Sequence, residues 1–143
     1  MLRATLCVAL LTPCADGQRS GKSQDPVQGR QRPPRAITCP RDRLTSYTGK
    51  VTSYSRGARR LHIRIRTDWD TDEEFTLRLT GRENPAGRFL MRSDTFRPGD
   101  WKAIEFAKGR LRPGVRATVW ECKAGGYPAL TIDWEPPPNS HQN

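Results

Sequence analysis

Apolar side chains recur at every second position in four stretches of the chain, and each such stretch predicts a strand with one buried and one polar face. Leu61, Ile63 and Ile65 alternate with His62, Arg64 and Arg66, and Phe75, Leu77 and Leu79 alternate with Glu74, Thr76 and Arg78. Val115, Ala117 and Val119 alternate with Arg116, Thr118 and Trp120, and after the turn-forming Gly125-Gly126-Tyr127-Pro128 come Leu130, Ile132 and Trp134. Thr48 to Ser55, β-branched and aromatic, predicts a further strand, and Phe89 to Met91 a brief one. Setting Leu61, Ile63 and Ile65 on the same side as Phe75, Leu77 and Leu79 makes a hairpin whose register is fixed by parity. Asp68 to Glu73 forms its turn, and Arg66 is expected opposite Glu74 or Thr76.

One stretch has a helical rhythm. Trp101 and Ile104 fall on one face of the segment Trp101 to Lys108, Asp100 stands where a carboxylate caps a first turn, and Gly109 permits a left-handed stop. Lys108 suits the negative end of the helix dipole. Apart from the brief strand at Phe89 to Met91, the sequence therefore predicts three strands, a short helix and two more strands.

That order resembles the oligonucleotide/oligosaccharide-binding (OB) fold, a mainly β, five-stranded Greek-key barrel with one short helix between strands 3 and 4. The resemblance covers Thr45 to Glu135 and rests on element order; a β-sandwich and an SH3-like barrel without the helix are the alternatives. As a whole, the chain also resembles small exported bacterial proteins. In OB folds the outer face of strands 2 and 3 offers cationic groups to a backbone and aromatic rings to bases or sugars. The resemblance thus implies a ligand face of His62, Arg64, Arg66, Thr76 and Arg78, with Tyr54 and Trp69 at its margin.

Charge sharpens that expectation. The 143 residues carry 25 Lys+Arg against 15 Asp+Glu, a net charge of +10, and 20 of the 25 are arginine. The planar guanidinium forks onto phosphate, sulfate or carboxylate, so this bias points to an anionic partner. The acidic turn at Asp68 to Glu73 argues against a polyanion lying on that end of the hairpin.

The ends of the chain have their own logic. Arg3, the apolar run Ala4 to Leu11, and the small and turn-forming residues to Ala15 follow the order of a secretory leader over residues 1–15. The run is too short to span a bilayer, which takes roughly 20 residues. Leu11-Thr12-Pro13-Cys14 resembles a lipoprotein box but carries Pro13 where a small residue belongs, which disfavours lipid anchoring at Cys14. Residues 16–44 mix Gly and Pro with Arg, lack periodicity and predict a disordered basic arm; 45–135 is the β domain, and Pro136 onward a disordered tail. Cleavage after Ala15 leaves Cys39 and Cys122, which in an oxidising compartment form one bridge and otherwise remain as two thiols.

Several lookalikes fail on spacing. Gly17 to Ser23 lacks the first glycine of a phosphate-binding P-loop, since Asp16 stands there. Asp68, Asp70 and Asp72 suggest a calcium loop, but Glu73 and Leu79 occupy its sixth and twelfth positions. His62 and His141 are the only histidines, and no nucleophile with an oriented base is discernible. No catalytic residue, metal or cofactor is expected. The leading expectation is an exported, non-enzymatic module for an anionic glycan, lipid headgroup or acidic protein surface in the periplasm or outside the cell. A cytosolic single-stranded nucleic-acid binder is the second, and an interaction domain with no ligand of its own the third.

Overall fold

The structure, a computed structural model, describes residues 31–79 and 85–138. The leader, most of the basic arm and the end of the tail lie outside the described residues, as does the P-loop-like segment. The chain is mainly β. Strands β1 (Leu44–Arg56), β2 (Arg60–Thr67), β3 (Asp72–Arg78), β4 (Phe89–Met91), β5 (Asp94–Thr95), β8 (Arg116–Cys122) and β9 (Leu130–Glu135) form one sheet in the order β3-β2-β1-β8-β9-β4-β5. A separate ribbon pairs β6 (Glu105–Ala107) with β7 (Arg110–Leu111). The expected five-stranded closed barrel is therefore corrected: this sheet has seven strands and does not close. Strand β4 pairs with β9 in parallel, and β3 is one edge of the sheet.

Strand β1 organises the sheet because it serves two ladders. Leu44 to Lys50 pairs with β8, and Gly49 to Arg56 pairs with β2. The strands crowd where the ladders overlap. A side chain at Gly49 would bring its Cβ to 2.6 Å from the Cα of Thr67 and closer still to the Arg66 carbonyl oxygen, so only glycine fits. Two residues on, the register slips between Val51 and Ser53. This bulge changes the parity of the strand, so that Tyr47, Gly49 and Val51 share the inner face with Tyr54 and Arg56.

The inner face matches the alternation in the sequence. Leu61, Ile63, Ile65, Val119, Ile132 and Trp134 are fully buried, with Leu77, Phe89, Phe96, Ile104, Val115 and Ala117 packed among them. Phe89, Phe96 and Trp101 stack edge to face at one end of this core, with centroids 4.8 to 5.7 Å apart. The outer face of β8 is also covered. Trp120 points away from Val119 and is nonetheless buried, in a groove lined by Ile37, Cys39 and Leu44. A Cys39–Cys122 disulfide, Cα atoms 6.0 Å apart, holds that upstream segment in place. Residues 34–43, assigned to the arm on composition, are thus drawn onto the sheet: Ile37 N–H donates to the Pro34 carbonyl, and Lys123 N–H to that of Arg43.

The expected helix over 101–108 is half realised. A 3-10 turn at Pro98–Asp100 leads into α1 (Trp101–Ile104), and Glu105 then turns extended to start β6. Asp100 Oδ2 accepts from the Arg97 N–H at 2.7 Å, bracing the 3-10 turn. Gly109, at φ 77°, forms the β6–β7 turn rather than a helix stop. What ends the helix is a tertiary contact of Glu105.

Candidate functional site

The outer face of the first hairpin carries the side chains expected on it. The pairs are Arg60 with Arg78, His62 with Thr76, Arg64 with Glu74 and Arg66 with Asp72. Parity is as expected, while the register places Arg66 against Asp72 instead of Glu74 or Thr76. The turn is shorter than Asp68 to Glu73 because Asp70 adopts φ 65° and the Thr67 N–H closes onto the Thr71 carbonyl at 2.8 Å.

That register neutralises two of the expected arginines. Arg64 donates to Glu74 through both Nε, at 2.6 Å, and Nη2. Arg66 reaches Asp70 at 2.9 Å and Asp72 at 2.8 Å, and these bonds hold its pKa above the ordinary value. Arg116 arrives from β8 to bind Asp68 at 2.7 Å through both carboxylate oxygens. His62 Nδ1 lies 3.3 Å from Thr76 Oγ1. Trp69 stands at the tip of the turn, 63% exposed.

Tyr54 is not at the margin of this face. It lies on the inner face, edge-on to Trp134 with centroids 5.9 Å apart, and its hydroxyl donates to Glu105 Oε1 at 2.5 Å. The same carboxylate accepts Arg56 Nε at 2.8 Å and Nη2 at 2.5 Å, and the Gly109 N–H at 3.2 Å. Arg56 also lies over the Trp101 ring, 3.9 Å from its centroid. Burial alone pushes the Glu105 carboxyl up, but the bonds from Arg56 and Tyr54 and the charge of Arg56 outweigh it, so its pKa lies below the usual value. Burial, then the carboxylate beside it, drives the Tyr54 phenol far above its ordinary pKa.

This inner cluster fastens the β6–β7 ribbon to the end of the hairpin opposite the acidic turn. The position a Cβ of Gly109 would take is 3.3 Å from the Arg56 carbonyl oxygen. The β1–β2 turn is closed by the Gly57 N–H donating to Arg60, and the Leu79 N–H donates to the Arg59 carbonyl, both at 2.8 Å. Arg59, Arg60, Arg78, Lys108 and Arg110, all exposed, therefore gather at one end of the fold. Among the described residues none of the five makes an ion pair, and Glu105, the carboxylate placed at this end, is already bound to Arg56. Phe106, between Glu105 and Lys108, is 57% exposed.

The hairpin is thus polarised. At about 3.3 Å per residue, β2 separates its acidic, ion-paired tip from this basic end by roughly 20 Å. Arg78 belongs to both the expected face and the basic end. Arg59, Arg60, Lys108 and Arg110 lie outside the ligand face that the sequence predicts; the adjacent Arg59-Arg60 pair is visible in the sequence, whereas Lys108 suits a helix end and Arg110 carries no signal of its own. Among the described residues no group of three or more His, Cys, Asp or Glu is placed to hold a metal ion, and no helix is long and apolar enough to cross a membrane. Comparisons with protein-family models, curated proteins and solved structures find no match.

Proposed function

We propose that this protein is an exported, non-enzymatic binding domain that holds an anionic partner at the basic end of its first hairpin. The observation that carries the reading is the gathering of Arg59, Arg60, Arg78, Lys108 and Arg110 without a free carboxylate among the described residues. Arg60 and Arg78 stand directly opposite one another, an arrangement that costs stability in a sheet. Such a cost is understandable where the charges serve a ligand. The Cys39–Cys122 bridge supports export, because disulfides persist in oxidising compartments.

The finer fold reading is an OB-like arrangement left open between β3 and β5. It is supported by the long first strand shared between two ladders, the parallel β4–β9 pair and α1 preceding the fourth main strand. The reading moves the ligand from the face at Arg64 and Arg66 to the end of the same hairpin.

Amide chemical-shift mapping with inorganic polyphosphate tests it. Shifts are expected at residues 57–60, 78 and 107–110. Shifts confined to 62–66 contradict the assignment. A domain with no ligand of its own is the second reading, favoured by the ion pairs of Arg64 and Arg66; it predicts no localised shifts.

A further inference from the structure

We propose that the anion held at the basic end is an acidic polysaccharide, and that Phe106 is the platform on which one of its sugar rings lies. The inference rests on the assignment of the basic end and adds the ligand class. Charge alone selects any polyanion, so the discriminating group must be uncharged. Phe106 is that group. It lies in the β6–β7 ribbon two residues before Lys108, while the Ala107–Arg110 pair carries the basic residue of the opposite strand.

Phe106 and Lys108 stand two residues apart, a reach of at most about 7 Å, so the ring and that cation can address one ligand segment together. The ribbon is rigidly seated, because Glu105 is buried against Arg56 and Tyr54 and the Gly109 N–H returns to the same carboxylate. The ring is therefore presented by anchored backbone. An exposed aromatic face packs on a flat apolar surface, which a pyranose supplies through its axial C–H bonds, while guanidinium forks onto its carboxylate or sulfate groups.

Nucleic acid offers the same pairing of flat ring and negative charge, and the choice is made by compartment. The bridge between Cys39 and Cys122 fits an oxidising compartment outside the cytosol, away from the bulk of a cell's nucleic acid and in contact with surface and secreted glycans.

The test uses the protein with its disulfide intact, the variants Phe106→Ala, Phe106→Tyr and Arg60→Ala/Arg78→Ala, and three probes: polygalacturonate, inorganic polyphosphate and a dT15 oligonucleotide. Phe106→Ala should weaken polygalacturonate binding about three- to tenfold and leave polyphosphate binding within about twofold, with Phe106→Tyr restoring affinity. Equal effects of Phe106→Ala on polygalacturonate and polyphosphate overturn the stacking role while leaving the basic end intact. Tighter, Phe106-dependent binding of dT15 overturns the choice of polysaccharide. Loss of no probe on Arg60→Ala/Arg78→Ala removes the basic-end assignment itself.

Discussion

The guanidinium of Arg56 grips the Glu105 carboxylate with two nitrogens, Nε to Oε1 at 2.8 Å and Nη2 to Oε2 at 2.5 Å, at the inner end of the sheet. The carboxylate is almost wholly buried and the guanidinium mostly so, with side chains 5% and 17% exposed. Removing one member of such a pair leaves the other charged without compensation. Glu105→Gln is therefore expected to destabilise the fold by about 3 kcal/mol in urea unfolding at neutral pH. A change near zero would show that Arg56 finds solvent as readily as it finds Glu105.

The same pair predicts an acid limb. The folded pKa of Glu105 lies below its unfolded value, so its contribution is fully present above the ordinary glutamate range and is lost as pH falls through the folded value. The stability gap between the wild type and Glu105→Gln should shrink on acidification. A gap that widens below pH 4 contradicts the sign.

Gly49→Ala should be among the most damaging single-methyl changes, because its Cβ would meet the backbone of Arg66 and Thr67, which cannot swing away as a side chain does. A loss of about 2 to 4 kcal/mol is expected in thermal unfolding. A near-neutral result would mean that β1 and β2 separate easily at their crossing.

Reducing the Cys39–Cys122 bridge releases a constraint spanning 83 residues. The chain-entropy relation gives about 4 to 5 kcal/mol for a loop of that length. Reductant should lower the midpoint of unfolding and expose Trp120, read as a red shift in tryptophan emission. An unchanged spectrum would show that Ile37 and Leu44 cover the indole without the bridge.

Arg78→Glu should raise stability by about 0.2 to 1 kcal/mol by converting the opposed pair with Arg60 into an attractive one, and should weaken polyanion binding at the same time. Concurrent loss of stability and affinity would point to a structural role for Arg78.

Strands β2 and β3 were legible because Leu61, Ile63, Ile65 and Leu77 repeat with a period of two that no local feature interrupts. Strand β1 was legible as the β-branched and aromatic run Thr48 to Ser55, but its faces were not, since its bulge transfers the inner face from Val51 to Tyr54 and leaves no single period to read. The helix was overextended because Asp100, Lys108 and Gly109 suit helix ends, whereas the bonds of Glu105 to Arg56 and Tyr54, about 50 residues away in sequence, decide the issue. Trp120 reads as a packing residue within a predicted strand, but what covers it was not legible, because the cover comes from a segment whose composition reads as unstructured.

The same distinction applies to the candidate site. Which arginines share the hairpin face follows from parity, but which ones are neutralised depends on a turn whose length is set by Asp70 in a left-handed conformation.

The salt dependence of polyphosphate binding tests the basic end most directly, since each cation engaged with the chain releases condensed counterions and steepens the fall of affinity with salt. Arg60→Ala/Arg78→Ala should flatten the slope by roughly one to two units, while Arg64→Ala/Arg66→Ala, whose guanidinium groups face Glu74, Asp70 and Asp72, should leave it unchanged. The reverse ranking, with the slope carried by Arg64 and Arg66, would contradict the account.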